Sequence, residues 1–169
     1  MTKAHRVVYV IACSAPPVLE LASLLALLTE RGWAPHVILT PTAATWVDVK
    51  ALVEASGNPV RVEPRTPADA DPLPPADAVI AAPLTFNSLN KWAAGISDTL
   101  ALGLLNDALG LGLPIIAAPF IKEALRQHPA YPCSVDRLKS AGVTVLDPNQ
   151  VVVSTETGPM LTWPLVLPP

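Results

Sequence analysis

Apolar positions along the chain fall into short unbroken runs that alternate with longer stretches where they recur every third or fourth residue. "RVVYVIA", residues 6–12, is nearly continuous and β-branched, the pattern of a strand buried on both faces of a parallel sheet. In "PPVLELASLLALLTERGW", Leu19, Leu21, Leu24, Leu25 and Leu28 keep helical spacing, with prolines suited to a helix start and Gly32 to its end. "HVILT" predicts a second strand ending at Thr40, "PTAATWVDVKALVEASG" a helix stopped at Gly57, and "PVRVEP" a third short strand. Such alternation predicts right-handed crossovers and a parallel sheet.

Residues 65–77, "RTPADADPLPPAD", have no period and read as a loop. "AVIAAP" predicts a fourth strand, followed by a helix with Leu89, Trp92, Ala93 and Ile96 on its apolar face, and "LPIIAAP" a fifth strand ending at Pro119. "CSVDRLKSAG" reads as helical, "VTVL" and "QVVVS" as short strands, and the tail "TWPLVLPP" shows no period. The expected fold is a three-layer α/β/α sandwich around a parallel Rossmann-like sheet. A single domain over residues 1–169 is long enough to bury its own core.

Composition narrows the partners. Hydrophobic residues are 51% of the chain, charged residues 15%, and the net charge is −3, which argues against nucleic acid. So few charges point to self-association. No run approaches ~18 apolar residues and no signal segment opens the sequence, so no membrane association and a cytoplasmic location are expected. Cys13 and Cys133 lack the spacing of a zinc or redox motif and read as reduced thiols, Cys13 as packing and Cys133 near a helix start after Pro132. No metal site is expected.

In an open parallel sheet the ligand crevice lies beyond the carboxyl ends of the strands, where helix N-termini also point. Those ends carry Ser14, Thr40, Thr42, Thr85, Asn87, Ser88 and Lys122. The hydroxyls of Ser14, Thr40 and Thr42 suit a phosphate, although each is equally a helix cap. Asn87 can both donate and accept, which suits a heterocycle edge or a carboxylate, and alone it also reads as a cap. Lys122 can pair with a carboxylate or phosphate. Neither the glycine fingerprint of dinucleotide sites nor a P-loop is present, which favours a mononucleotide-type cofactor. Trp46 and Trp92 read as core or subunit contacts.

"PLTFNSLNKWAAGISDTL" resembles the P-A-S-A-N-T-x-x-K-x-A-x-G-I-x-D-N-L signature of the flavin-containing cysteine decarboxylases, which include phosphopantothenoylcysteine decarboxylase and the lantibiotic peptide decarboxylases. Pro83, Asn87, Lys91, Ala93, Gly95, Ile96, Asp98 and Leu100 coincide without a gap, and Thr85 and Ser88 are hydroxyl swaps. "PFIKEALRQHP" is similar to that family's P-x-M-N-x-x-M-W-x-H-P block, with Pro119, His128 and Pro129 in register, and "LTPTAATWV" to its phosphate-binding segments. The resemblance covers residues 6–146. It implies a flavodoxin-like fold, FMN bound between subunits of a homo-trimer, and a small-molecule or peptidyl thiol substrate. It also implies FMN contacts from Ser14, Thr40, Thr42, Pro83, Thr85, Asn87 and Ser88, with Asn87 and Lys122 acting on the substrate.

Two positions depart from the pattern. The family's catalytic histidine precedes the first block, where this chain has "PADADPLPPAD"; its histidines are His5, His36 and His128. Ile121 and Lys122 stand where the second block has Met and Asn. The implied activities are therefore an FMN-dependent oxidation or decarboxylation of a thiol, or flavin binding without catalysis; a flavin prenyltransferase-like activity lacks its basic phosphate ligands.

Overall fold

The computed structural model describes residues 6–70 and 73–169, so His5 lies outside the described residues. Five parallel strands form the main sheet: β1 (Arg6–Ala12), β2 (Trp33–Leu39), β3 (Ala78–Leu84), β4 (Ile115–Pro119) and β5 (Thr144–Val145). Their order is β2-β1-β3-β4-β5, with β1 pairing β2 and β3 on its two sides. This is the flavodoxin-like order, in which the chain leaves β1 in one direction and returns to its other side through β3.

Alternation along the central strands divides the core. Val8, Val10 and Ala12 of β1, with Ala78, Ile80 and Ala82 of β3, face one layer; Ile11, Val79 and Ala81 face the other. The first layer holds α1 (Leu21–Glu30) and α3 (Val49–Ser56). Leu21, Leu24, Leu25 and Leu28 form the buried stripe of α1, each worth roughly 1.5–3 kcal/mol on removal from water. The second layer holds α4 (Phe86–Ala93), α5 (Leu100–Gly110) and α7 (Ala130–Ser140), the last after the one-turn α6 (Glu123–Arg126). A parallel sheet covered on both faces explains why β3 is buried along its whole length.

Several expected elements change length or type. The third strand, "PVRVEP", contracts to a single parallel bridge between Ile38 and Arg61, closed by Arg61 N–H to Val37 O and Leu39 N–H to Arg61 O, both at 2.9 Å. Pro59 and Pro64 flank it and cannot donate to a ladder. The single helix expected over 41–57 splits into α2 (Pro41–Ala44) and α3, because the Asp48 carboxylate caps a fresh start by accepting from Lys50 and Ala51 N–H. "QVVVS" begins as the short helix α8 (Pro148–Val151), capped by Asp147, and only then becomes β6 (Val152–Thr155). That strand pairs antiparallel with β7 (Gly158–Leu161) as a separate hairpin. The aperiodic tail makes a 3-10 turn, Trp163–Val166, that drives Trp163 and Val166 into the α1 layer.

Part of the 83–100 block is architectural. Gly95 sits at φ +76° in the turn after α4, a conformation that favours glycine. Lys91 reaches across that turn to Asp98 at 2.5 Å, and Ile96 N–H donates to Lys91 O at 2.9 Å. Trp92, 1% exposed, fills the layer below. These residues fix the angle between α4 and α5 and leave the start of α4 to face the ligand crevice.

Candidate functional site

A cleft of about 890 Å³ opens at the carboxyl ends of β1, β3 and β4, the size of a small-molecule site. It straddles the β1/β3 junction, where an open sheet of this order leaves a crevice. One wall is made by the residues leaving the strands: Ser14 and Ala15 after β1, Thr85, Phe86 and Asn87 after β3, and Phe120 to Lys122 after β4. The opposite wall comes from Leu125 and Arg126 of α6, Pro148 and Asn149 of α8, and Val152 and Pro159 of the hairpin. Trp46 lines the cleft after α2 and, at 47% exposed, is not core.

The strand-end wall is held from behind. Thr85 is the N-cap of α4: its Oγ1 accepts from Ser88 N–H at 3.4 Å and its carbonyl from Leu89 N–H at 2.9 Å. Asn87 therefore lies inside the first turn of α4 and is not its cap, and its side-chain amide makes no hydrogen bond among the described residues. The Ser14 hydroxyl likewise has no partner among them. Cys13, 2% exposed, ties β1 to β3 through its N–H to Pro83 O at 2.9 Å. Burial pushes its thiol above the ordinary value of 9.0, against hydrogen bonds from Ser88 and Thr85 that pull it down. Cys13 therefore packs as a neutral thiol, and Pro83 and Ser88 are buried behind the cleft surface.

Thr40 and Thr42 stand one strand farther out. Thr40 caps α2, its Oγ1 accepting from Ala43 N–H at 3.3 Å, and Thr42 is exposed with its carbonyl accepting from Thr45 Oγ1 at 2.7 Å. The structure thus brings Ser14, Thr85, Asn87 and Lys122 together on one cleft and sets Thr40 and Thr42 beside it.

The outer wall is where sequence reading found least. Arg126 donates from Nη1 to Asn149 Oδ1 at 3.0 Å and pairs through Nη2 with Glu123, while its Nε is shut away from solvent with no acceptor. It stands at the tryptophan position of the P-x-M-N-x-x-M-W-x-H-P block, which was the available signal. Asn149, Val152 and Pro159 had none, because only the tertiary fold brings the segment after β5 back across β4. His128 packs edge-on against Phe86, ring centroids 5.6 Å apart, and its Nδ1 accepts from Ala130 N–H at 3.1 Å. His36 is buried on β2 and its pKa is pushed down by burial. Among the described residues no histidine lines the cleft, no group of three or more His, Cys, Asp or Glu could hold a metal ion, and no helix is long and apolar enough to cross a membrane.

A family model described as Flavoprotein matches residues 1–167. The chain belongs to the flavoprotein family. Among characterised members, it is 28% identical over 127 residues to the coenzyme A biosynthesis bifunctional protein CoaBC of Thermococcus kodakarensis, covering 72% of this chain and 31% of that one. This chain thus spans about a third of the length of the CoaBC proteins it matches. Its fold is shared with the FMN-dependent cysteine decarboxylase TvaF from thioviridamide biosynthesis (TM-score 0.77, 24% identity, 87% of this chain and 93% of that one). It is shared also with a mutant PPC decarboxylase complexed with pantothenoylaminoethenethiol (TM-score 0.69, 19% identity, 90% and 86%). The flavodoxin-like, three-layer expectation holds.

The cleft fits a flavin. Aromatic and aliphatic faces of Trp46, Phe86, Phe120 and Ile121 line it, and the donors left without partners, Ser14 Oγ and the Asn87 amide, sit at the strand-end wall.

Proposed function

We propose that this chain binds FMN in the cleft and uses it to decarboxylate a small thiol or a peptidyl cysteine. The observation that carries the reading is the Asn87 amide, released from any capping duty by Thr85 and presented at the β1/β3 crevice of a flavoprotein-family chain. The hydroxyls of Ser14, Thr40 and Thr42 hold the cofactor phosphate, and the segment Pro83, Thr85, Asn87 and Ser88 supports the ring side of the site. Asn87 positions the substrate or the flavin edge, and Lys122 attracts the substrate's negative charge. When bound, the flavin supplies a two-electron acceptor for the thiol-bearing carbon, and the oxidised product can then lose CO2.

The chain's part is to bind, orient and exclude water. The apolar lining strengthens every hydrogen bond made from the strand-end wall. The low charge content supports self-association, and the family resemblance implies a homo-trimer, or a multiple of one, with the cleft completed by a neighbouring copy. Light scattering of the FMN-loaded protein that returns a single 17.7 kDa chain would contradict this.

A second reading is a flavoprotein that keeps the cofactor and has lost the chemistry. It is favoured by the lack of a cleft histidine among the described residues. Incubation with FMN and a panel of cysteine-ended peptides, read by mass spectrometry, separates the two: loss of CO2 supports the enzyme, and a bound flavin without any such loss supports the second reading. Heat release and chromatography identify the cofactor, with FAD or no flavin contradicting both.

A further inference from the structure

We infer that the cleft binds the reduced state of a flavin more tightly than the oxidised state, and that Lys122 contributes by raising the flavin's reduction potential; this rests on the FMN-binding part of the proposed function and not on decarboxylation. The lining is one-sided in its chemistry. Among the described residues it contains two cations, Lys122 and Arg126, and no Asp or Glu. Arg126 shares its charge with Glu123 through Nη2, whereas the Lys122 ammonium makes no hydrogen bond or ion pair among the described residues. At the start of α4 the backbone N–H groups of Phe86 and Asn87 have no acceptor among those residues, because Thr85 serves only Ser88 and Leu89. Two of the lining's side-chain acceptors are already occupied: Thr85 Oγ1 takes Ser88 N–H, and Asn149 Oδ1 takes Arg126 Nη1. A guanidinium can only donate, so Asn149 is left with its Nδ2 hydrogens as the free end of its amide. The cleft thus offers positive potential and N–H donors to whatever fills it.

The redox step decides which state of the flavin profits. In the thiol oxidation proposed for this cleft, the S–H proton goes to solvent, a hydride leaves the adjacent carbon for the flavin, and a C=S bond forms. At pH 8 the flavin ring gains two electrons and one proton and so passes from neutral to singly negative, while the phosphate carries the same charge before and after. Interactions with the phosphate cancel between the two states, and only groups that respond to the ring's new charge shift the equilibrium. An unpaired ammonium responds to it. The asparagine found at this position in the P-x-M-N-x-x-M-W-x-H-P block carries no charge with which to do so. At about 10 mM salt the Debye length is about 30 Å, longer than a cleft of this volume is wide, so no placement of the ring inside escapes the charge. Lys122 is exposed, which keeps its share within the range of a solvated ion pair.

The test is the reduction potential of bound FMN at pH 8 and low salt, measured by equilibrating the FMN-loaded protein with a reference dye during reduction by xanthine and xanthine oxidase. Binding and reduction are linked, so a rise over free FMN equals the factor by which the reduced form binds more tightly. The expected factor in the wild type is about tenfold, or about 30 mV for a two-electron couple. Lys122→Gln should lower that factor about threefold, and Lys122→Arg should keep it. Lys139→Gln, the same loss of charge on α7 outside the cleft, should leave it unchanged. A wild-type potential at or below that of free FMN, equal potentials in wild type and Lys122→Gln, or an equal fall in Lys139→Gln would overturn the inference. FMN affinity is read separately from quenching of flavin fluorescence. Absence of binding would overturn the cofactor reading together with this one, whereas binding without the shift in potential overturns this one alone.

Discussion

The two walls of the cleft are built on opposite principles. The strand-end wall is uncharged apart from Lys122 at its edge and is fastened to the sheet: Cys13 N–H bonds Pro83 O, Thr85 caps α4, and Phe120 N–H bonds Leu84 O at 2.9 Å. The outer wall is made of short pieces, and α6 contributes no buried residue at all. It holds Arg126, and Lys122, at the N-cap of α6, stands where the two walls meet. The sheet dictates where a crevice must lie, and the chain has little freedom to alter that wall without losing core. Both cations belong to the α6 segment, the part of the lining whose change costs least core.

Labelling of thiols gives the largest contrast. Cys13 lies behind the strand-end wall and Cys133 on the exposed face of α7. A disulfide reagent at pH 8 should modify Cys133 at least ~100-fold faster than Cys13, because Cys13 must wait for local opening. Comparable rates would show that the strand-end wall is loose. The raised thiol value also has a pH consequence: the stability Cys13 contributes by remaining neutral is intact below its ordinary 9.0 and fades as pH climbs through the raised value. A Cys13→Ala variant should lack that alkaline component of unfolding.

Next comes Asn87→Asp. At the first turn of α4 an aspartate is favoured by the helix dipole, so thermal stability should hold or rise slightly. Affinity for FMN or for a carboxylate ligand should fall roughly ten- to a hundredfold, the cost of replacing a donor to a charged partner with an anion. Unchanged affinity for both in titration would remove Asn87 from the site.

Thr85→Ala removes the α4 cap and should cost ~1 kcal/mol in denaturant unfolding. Arg126→Gln should cost less, below about 1 kcal/mol, because its partner Glu123 is 71% exposed. A reversal of that order would mean that the outer wall, and not the strand-end wall, holds the cleft in shape.

The strand-end wall was readable in the sequence for a physical reason. Strands buried on both faces must be nearly continuous apolar runs, so β1, β3 and β4 announce where they stop, and Ser14, Thr85, Asn87 and Lys122 follow directly. The distinction between cap and ligand was not readable, since Thr85 and Asn87 lie two residues apart and either could close the helix; only the backbone shows that Thr85 does. Trp46, read as a core or subunit contact, falls in the break between α2 and α3 that the Asp48 cap creates, and so lines the cleft instead of the core. Arg126 lay inside a recognisable block, but Asn149, Val152 and Pro159 reach the cleft through the return of the chain past β5. No local pattern encodes that return.

Hydrogen–deuterium exchange with and without FMN tests the central claim most directly, because it reports where the flavin binds and not only whether it does. The account predicts slowed exchange in the segments after β1 and β3, residues 14–18 and 85–89, with little change on α3. FMN binding that leaves both segments unchanged, or no FMN binding at all, would contradict it.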